Sequence, residues 1–210
     1  EVVRNICALS GPNLAKEIIQ GKLSTTVIAS PNSAASNKAQ AIITSETFRV
    51  YTNNDIVGVE FGGALKNIIA IGAGICDGLH YGDNAKAAFI TRGLAEIARL
   101  SVAAGATPFT LVGLAGMGDL IATCSSRLSR NHSVGAQLAS GKSLNEIRTS
   151  MENVAEGIDT TAAAIKLANR FGVEMPITTA IHDVIFSGKP IRLAISDLLS
   201  RTANTELREG

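Results

Sequence analysis

Hydrophobic and polar positions follow two different periods along the chain. Over residues 1–54, short apolar runs alternate with stretches of helical period, as is typical of an α/β sheet. Three strands are few for a complete doubly wound domain, so this segment predicts the edge of an α/β sheet. The predicted strands cover 6–11 (a buried strand), 25–30 and 48–53, and the predicted helices cover 13–21 and 33–45.

From Asp55 to Arg201 the helical period dominates, with Gly and Pro as interruptions. Ser143 and Glu146 have the S-x-x-E spacing of a capping box, which marks the start of one helix. The pattern therefore predicts a mainly α fold, with residues 1–54 separate from a helical domain over 55–210. The predicted helices cover 58–79, 85–105, 132–141, 143–151, 159–172, 177–188 and 192–201, with short pieces at 109–113 and 117–124 and a frayed end after 201.

The composition argues against several classes of function. Charged residues make up 18% of the chain and the net charge is +1, so no strong field favours nucleic acid or a membrane surface. Aromatic residues make up only 4%, which disfavours base stacking. No apolar run approaches the roughly 18 residues of a membrane span, and the first residues lack the form of a signal peptide. A chain that opens without Met on an apolar segment predicts a piece of a longer protein.

The cysteines and histidines predict neither a disulfide framework nor a metal site. Cys7, Cys76 and Cys124 are odd in number and form no C-x-x-C pair. This pattern is typical of buried thiols in a reducing compartment, so we expect a cytoplasmic protein. The three histidines lie far apart without metal-ligand spacing. A serine hydrolase is disfavoured because the chain has no G-x-S-x-G elbow.

Lys66 is the single charge in the run GGALKNIIAIGAG (62–74). On helical spacing it shares a face with Gly62, Gly63 and Ile69, which is apolar and made mostly of small side chains. An amine there loses part of its hydration, which favours proton transfer near neutrality. The alternative is a lysine that extends its head to water along a packed stem. Asn67 adds a second polar group and favours a site.

A second polar cluster lies in GLAGMGDLIATCSSRLSRN (113–131). Ser129, Arg130 and Asn131 precede a helix predicted to begin near His132. Free N–H groups at a helix start attract anions, and an arginine fork binds phosphate, so this segment predicts a phosphate pocket. The alternative is a solvated, capped loop. Asp119 can orient the Lys66 amine or a substrate hydroxyl, or act as the N-cap of the helix that follows it.

Five segments together resemble one family. They are LSGPNLAKE (9–17), YTNNDIVGVEFGGALKNIIAIGAGICDGL (51–79), GDNAKAAFITRGLAEI (82–97), GLAGMGDLIATCSSRLSRN (113–131) and VAEG (154–157). In this order, over about 190 of the 210 residues, they resemble the bacterial-type NAD(P)-dependent sn-glycerol-3-phosphate dehydrogenases. The resemblance is specific because GALKN is followed by GDL, TCSS and SRN in the same order.

The resemblance implies an oxidoreductase that interconverts dihydroxyacetone phosphate and sn-glycerol 3-phosphate with NADH or NADPH, for glycerophospholipid synthesis. It implies a Rossmann domain, then a helical domain like the C-terminal domain of 6-phosphogluconate dehydrogenase, with the active site between them. Lys66 falls on the family's general acid/base. The implied substrate contacts are Gly11, Lys66, Asp119, Ser129, Arg130 and Asn131, and the implied cofactor contacts are Ala15, Arg130, Val154 and Glu156.

The chain departs from the family pattern in two places. Asn13 stands where the family usually has Ser or Thr; an amide can still donate a hydrogen bond, so we retain Asn13 as a substrate contact. The family's first strand and glycine-rich pyrophosphate turn do not occur in these 210 residues. We therefore expect an N-terminal Rossmann segment to be missing, residues 1–54 to be the last α/β elements of that domain, and residues 1–210 alone to have little or no dehydrogenase activity.

Two other interpretations remain open. The first is a noncatalytic helical domain that binds a phosphorylated ligand or self-associates. The small-residue helices can pack within one chain or across a homodimer. The second is a related hydroxyacid dehydrogenase, which would not depend on dihydroxyacetone phosphate.

Overall fold

A computed structural model of the chain describes residues 5–151 and 155–201. The first part is a small α/β unit and the rest is helical, which confirms the predicted fold class. The α/β unit contains β1 (Ala8–Ser10), α1 (Ala15–Ile19), β2 (Ser24–Ala29), α2 (Ser33–Ile43) and β3 (Phe48–Asn53). The helical part contains α3 (Ile56–Gly78), α4 (Gly82–Ala103), α5 (Pro108–Leu111), a π turn (Leu114–Gly118), α6 (Asp119–Ser125), α7 (Arg130–Ala139), α8 (Leu144–Ser150), α9 (Glu156–Phe171), α10 (Pro176–Phe186) and α11 (Ile191–Leu199).

The three strands form one sheet in the order β1-β2-β3. The central strand β2 runs parallel to β3, with α2 between them in sequence, and antiparallel to β1. Val27, Ile28 and Ala29 of β2 are buried, and Val27 and Ala29 pack in one cluster with Val59 of α3. The prediction of a buried strand over 6–11 was wrong in part. The strand is only β1, it lies at the edge of this sheet, and Leu9 is 46% exposed.

The long helix α3 is the centre of the helical part. Its apolar side chains, including Leu65, Ile68 and Ile71, are buried among α4, α6, α7 and α9. Each glycine in a helix interior costs about 1 kcal/mol relative to Ala, and close contacts with neighbouring helices compensate. A Cβ at Gly74 would collide with the carbonyl of His132, and a Cβ at Gly135 with the carbonyl of Ile71. The small residues thus let α3 and α7 pack backbone to backbone.

The predicted helices all form, and the capping box of Ser143 and Glu146 is present. Four helices begin two or three residues earlier than predicted: α3, α4, α7 and α9. The helix predicted near His132 begins at Arg130, with Ser129 as its N-cap, and the helix predicted at 159 begins at Glu156. The first residues of α4 and α7 are glycine or polar, so the apolar period starts later than those two helices do. The predicted fraying after 201 lies outside the described residues.

Among the residues that the structure describes, two stretches are long and apolar enough to span a membrane, by length and composition alone: α3, and residues 108–125. Within its most apolar window α3 is 61% buried inside the protein, which is the position of a core helix. The second stretch is divided into α5, the π turn and α6. The expectation of fully buried thiols holds for Cys124 only, because Cys7 and Cys76 are partly exposed; all three are free.

Candidate active site

Lys66 and Asp119 form an ion pair at the centre of the molecule. Lys66 lies in the middle of α3, and its Nζ is 2.5 Å from Oδ1 of Asp119, the first residue of α6. The Lys66 side chain is 18% exposed and that of Asp119 is 3% exposed. The predicted face of small residues therefore holds a cation whose head keeps a narrow access to solvent.

Asp119 does not act as the N-cap of the helix that it begins. Gly118 precedes it in helical conformation, and the Asp119 side chain is directed at Lys66 instead. The Ser10 hydroxyl donates to its Oδ2 at 3.0 Å, and the Thr123 hydroxyl lies 3.2 Å from its Oδ1. A buried carboxylate needs such partners, because an unpaired charge in the interior costs several kcal/mol. The Thr123 hydroxyl has a shorter bond to the backbone carbonyl of Asp119, at 2.7 Å, so the carboxylate has a cation and one hydroxyl donor, Ser10.

The π turn that precedes α6 sets the approach of Asp119 to α3. A Cβ at Gly62, one turn before Lys66, would lie 2.5 Å from the carbonyl oxygen of Ala115 in that turn. A Cβ at Gly116 would collide with the carbonyl of Leu111. Single π turns within helices occur frequently at functional sites. Gly62 lets the π turn approach α3, and Gly116 lets the π turn pack against Leu111. Together these glycines place the Asp119 carboxylate against the Lys66 amine.

A buried hydrogen-bond network lies next to this pair. The Asn131 amide donates to Oδ1 of Asn67 at 3.0 Å, and its oxygen accepts from the backbone N–H of Gly157 at 2.9 Å. Asn67 and Asn131 are both buried. The network joins the residue after Lys66 to the residue after Arg130 and to the first turn of α9. Lys66 of α3 and Arg130 of α7 are therefore each one residue away from a direct contact between these two helices.

The predicted phosphate segment forms the start of α7. The Ser129 hydroxyl accepts from the backbone N–H of His132 at 3.3 Å, so it caps the helix. Arg130 is in the first turn with a half-exposed side chain, 3.9 Å from the carboxylate of Glu156 at the start of α9. This long pair between exposed groups is weak, so the guanidinium is available to an anion. The alternative of a capped, solvated loop stays open: Ser129 does cap α7 and Arg130 is exposed, although Ser129 and Asn131 are themselves buried.

His132 holds the first turn of α7 against the end of α3. Its Nε2 lies 2.7 Å from Oδ2 of Asp77, and the same oxygen accepts from Lys86 at 2.6 Å. Burial would raise the pKa of Asp77, but the hydrogen bonds from Lys86 and His132 outweigh it and keep the pKa below its usual value. This cluster fixes the helix that carries the predicted phosphate residues.

The loop after β1 carries the three remaining predicted residues from the α/β unit. Gly11 has a φ of +157°, and a Cβ there would lie 3.0 Å from Cα of Thr26. The Asn13 amide donates to Oγ1 of Thr26 at 2.8 Å, while its oxygen is buried and has no hydrogen-bond partner. Ala15 begins α1 and is exposed. Among the described residues this buried amide oxygen has no donor, so it is an unsatisfied acceptor.

A cavity of about 560 Å³ lies between β1 and α3, and Lys66 is part of its wall. Its other lining residues include Ala8, Leu9, Ser10 and Val59. A larger open cavity, of about 620 Å³, lies at the junction of β3 and α3, away from these residues.

Burial raises the pKa of the Cys124 thiol to about 12, so it stays protonated near neutral pH.

The structure adds residues that the sequence did not assign. Ser10 and Thr123 touch the Asp119 carboxylate, and Asn67 bonds to Asn131. Asn67 was visible as a polar residue in an apolar run, and Thr123 as the residue four after Asp119, on the same helix face. Val154 lies outside the described residues. Within residues 5–151 and 155–201, no group of three or more His, Cys, Asp or Glu residues is placed to hold a metal ion.

Comparison with known proteins gives one consistent result. The profile of the NAD-dependent glycerol-3-phosphate dehydrogenase C-terminus matches residues 55–196, and that of the corresponding N-terminus matches residues 1–36. A glycerol-3-phosphate dehydrogenase (NAD(P)+) of Dehalococcoides mccartyi is 54% identical over 204 residues, which are 97% of this chain and 57% of the relative. One from Geobacillus kaustophilus is 52% identical over 208 residues, which are 99% of this chain and 60% of the relative.

Solved structures agree. The crystal structure of glycerol-3-phosphate dehydrogenase from Coxiella burnetii has a TM-score of 0.90 and 39% identity, covering 93% of this chain and 60% of that one. Glycerol-3-phosphate dehydrogenase of Saccharomyces cerevisiae has a TM-score of 0.81 and 29% identity, covering 92% of this chain and 59% of that one. The chain thus spans about 60% of the length of the relatives that it matches.

Proposed function

The chain belongs to the NAD-dependent glycerol-3-phosphate dehydrogenase family, and on that premise we propose that it carries the acid–base half of an active site. The reaction is the interconversion of dihydroxyacetone phosphate and sn-glycerol 3-phosphate with NAD(P)H. The observation that carries the proposal is the buried ion pair of Lys66 and Asp119, which borders a cavity and adjoins the first turn of α7.

Lys66 is the general acid/base of this proposal. In the reducing direction its ammonium donates a proton to the carbonyl oxygen of the ketone, and in the oxidising direction its neutral amine accepts the hydroxyl proton. Asp119 holds the amine on one side through Oδ1. The 18% exposure of the Lys66 side chain leaves room for a substrate oxygen on the cavity side.

Arg130, Ser129 and Asn131 are proposed to bind the substrate phosphate. Arg130 offers a half-exposed guanidinium fork, and the first turn of α7 adds free backbone N–H groups. Asn131 keeps one amide hydrogen after its bond to Asn67. Gly11 and Asn13 are proposed to close the substrate site from the loop after β1, with the unpaired Asn13 oxygen as acceptor for a substrate hydroxyl.

The residues present fit the nicotinamide end of a dinucleotide. The cavity beside Lys66 has apolar walls at Ala8, Leu9 and Val59 and is large enough for a flat ring. When bound, NAD(P)H would supply the hydride in the reducing direction, and NAD(P)+ would accept it in the oxidising direction. Ala15, Arg130, Val154 and Glu156 are proposed to hold the cofactor, and Arg130 would also reach the substrate phosphate.

The remaining parts of the proposal concern the whole protein. We propose that residues 1–54 are the end of a dinucleotide-binding domain and 55–210 a helical substrate domain. The pyrophosphate turn would be supplied by a Rossmann segment outside these 210 residues, so residues 1–210 alone would turn over little or no substrate. The free cysteines, together with the burial of α3 in the core, support a cytoplasmic location.

The experiment measures NADH and NADPH oxidation by the full-length protein with dihydroxyacetone phosphate. We expect turnover that depends on this ketone, and a fall of about a hundredfold to ten-thousandfold in kcat for Lys66→Met, which keeps the packed stem. Lys142→Met, at an exposed lysine, is the matched control. Absence of turnover in the wild-type protein, or an unchanged kcat in Lys66→Met, would refute the proposal.

A further inference from the structure

Ser10 is the residue of the α/β unit that touches the proposed acid–base pair. It ends β1, and its hydroxyl donates to Oδ2 of Asp119 at 3.0 Å across 109 positions of the sequence. We propose that Ser10 is a positioning residue, which holds the Asp119 carboxylate against Lys66 and sets how readily the Lys66 amine gives up its proton. The expected effect on Lys66 rests on the geometry alone. The expected effect on catalysis rests on the proposed function as well.

The two oxygens of the Asp119 carboxylate have different partners. Oδ1 faces Lys66 at 2.5 Å and the Thr123 hydroxyl at 3.2 Å. Ser10 is the partner that the structure gives to Oδ2. The Asp119 side chain is 3% exposed, so water has little access to replace a lost donor. A buried carboxylate oxygen without a donor is costly, so Ser10 fixes which oxygen faces the amine.

The Ser10 hydroxyl matters most when Lys66 is neutral. The carboxylate must then remain an anion without its cation, and the hydrogen bond from Ser10 stabilises that anion. Without the Ser10 hydroxyl, the Asp119 carboxylate loses one donor and depends more on the positive charge of Lys66 for its stabilisation. Relative to the wild-type protein, the ammonium form of Lys66 is therefore expected to be more favoured in Ser10→Ala.

The backbone around Ser10 holds its hydroxyl in place. Ser10 pairs with Val27 in the sheet, and its carbonyl accepts from the Thr26 hydroxyl at 2.9 Å. On the other side, a Cβ at Gly63 would lie 2.5 Å from Oγ of Ser10 and 3.2 Å from its Cβ. The absence of a side chain at Gly63 therefore lets β1 approach α3 closely enough for Ser10 to reach Asp119. The pairing of Ser10 with Val27 and the close approach of Gly63 thus both restrict the position of the Ser10 hydroxyl.

Ser10 also lines the same cavity as Lys66. It is followed directly by Gly11, which begins the loop proposed to close on the substrate. A displacement of this loop would therefore change the hydrogen bond from Ser10 to the Asp119 carboxylate. The hydrogen bond is a direct link between the α/β unit and the proton-transfer residue of the helical part.

The first test measures the protonation of Lys66 without relying on activity. The full-length protein is labelled with acetic anhydride from neutral pH to beyond the ordinary lysine value, and Lys66 modification is quantified by peptide mass spectrometry, with exposed Lys38 as the internal reference. We expect the midpoint of Lys66 labelling to rise by about half a pH unit in Ser10→Ala, because part of one hydrogen bond's free energy is transferred to the ion pair.

The matched control is Ser30→Ala. Its hydroxyl is also buried in the sheet and donates to the carbonyl of Ile6 at 2.8 Å, but it has no contact with Asp119. We expect Ser30→Ala to leave the Lys66 midpoint unchanged even where it lowers the melting temperature. A midpoint that stays the same in Ser10→Ala, or that moves equally in both variants, would overturn the proposal.

The second test uses the contact between Gly63 and Ser10. Gly63→Ala displaces the hydroxyl without deleting it, so we expect the same upward shift of the labelling midpoint as in Ser10→Ala. In the double variant the two shifts should not add, because both act through one hydrogen bond. Additive shifts would contradict the inference.

Turnover separates this proposal from the proposed function. If the full-length protein oxidises sn-glycerol 3-phosphate, Ser10→Ala should lower kcat about threefold below the midpoint of the pH profile, as half a pH unit requires. If the protein shows no turnover, the proposed function fails while the labelling shift still decides whether Ser10 positions Asp119. Normal labelling in Ser10→Ala with an active wild-type enzyme refutes the Ser10 proposal alone.

Discussion

The helical part and the α/β unit differ in how completely they bury their own apolar residues. Around α3, side chains such as Ile68, Ile69 and Leu100 are fully buried. In the α/β unit, α1 has no buried residue and Leu23 is 84% exposed. The proposed acid–base pair and phosphate residues lie in the well-packed part. The α/β unit contributes Ser10 and the loop after β1. Groups that need a fixed geometry are thus placed in the rigid region.

The largest expected effect tests the close packing of the helical part. Gly135→Ala places a Cβ against the carbonyl of Ile71, and neither backbone can move aside easily. We expect a loss of about 3 kcal/mol or more in the free energy of unfolding, measured by urea titration. Gly21→Ala is the control in the α/β unit, where a Cβ meets no atom but φ is +71°; its cost should be about 1 kcal/mol. Equal costs would contradict the contrast between the two parts.

The second prediction concerns Glu96, a buried carboxylate in α4 that caps α10. It accepts from the backbone N–H groups of Ile177 at 2.6 Å and Thr178 at 3.1 Å. Glu96→Ala leaves these donors unpaired and should cost about 2–4 kcal/mol in urea unfolding. Glu96→Gln, which keeps one acceptor, should cost less. An effect no larger than that of an exposed glutamate such as Glu46→Ala would show that the cap is not important.

The same carboxylate gives a pH dependence. Burial raises the pKa of Glu96 above its usual value despite the hydrogen bonds that it accepts. The folded protein therefore holds this proton more tightly than the unfolded chain, and the contribution to stability falls as pH rises from the unfolded pKa through the folded one. In Glu96→Gln this part of the pH dependence should disappear. An unchanged slope of stability against pH between acidic and neutral pH would contradict this assignment.

A smaller effect is expected at Asp77. Its pKa is lowered in the folded protein, so its contribution to stability is present above the unfolded pKa and is lost as pH falls through the folded one. The carboxylate is 41% exposed, so solvent screens the pairs with Lys86 and His132. Asp77→Asn should cost less than about 1 kcal/mol at neutral pH and nothing at strongly acidic pH. A loss that persists in acid would point to packing instead.

The smallest effect is expected on the exposed face of the α/β unit. Leu23→Ser should change the stability of residues 1–210 by no more than about 0.5 kcal/mol, because the side chain is already in contact with solvent. Ile28→Ala, at a fully buried position of the same sheet, should cost about 2–4 kcal/mol. The same Leu23 substitution measured in the full-length protein shows whether further chain covers this face. A larger cost there would sharpen the comparison, and an equal one would show that the face stays exposed.

Much of the fold could be predicted because local patterns agree with it. The strands at 25–30 and 48–53 and the long helix from residue 58 have clear apolar periods, and each is present within two residues of its predicted bounds. The early starts of α4 and α7 were missed, because their first residues are glycine or polar and carry no apolar period. The strand β1 was predicted too long for a different reason: the apolar run begins at Ile6, but only Ala8–Ser10 pair with β2.

The candidate site could be predicted only in part. Lys66 was identified as a charge among small apolar residues, and Asp119 as a carboxylate after a glycine run. The ion pair itself depends on the contact of Gly62 with the π turn, which joins segments fifty residues apart and has no local signal. Ser10 was missed because it lay within the predicted strand over 6–11, where its side chain had no assigned role, and only the tertiary structure brings its hydroxyl to Asp119.

The most direct test of the central claim, that Lys66 transfers the proton, is chemical rescue of the full-length Lys66→Ala enzyme by added primary amines. The cavity beside Lys66 gives a small amine access to the vacated position. We expect the rate of sn-glycerol 3-phosphate oxidation to increase with amine concentration and with amine basicity, while the wild-type rate does not change. A variant that still binds substrate but is not rescued by any amine, or that needs no rescue, would contradict the account.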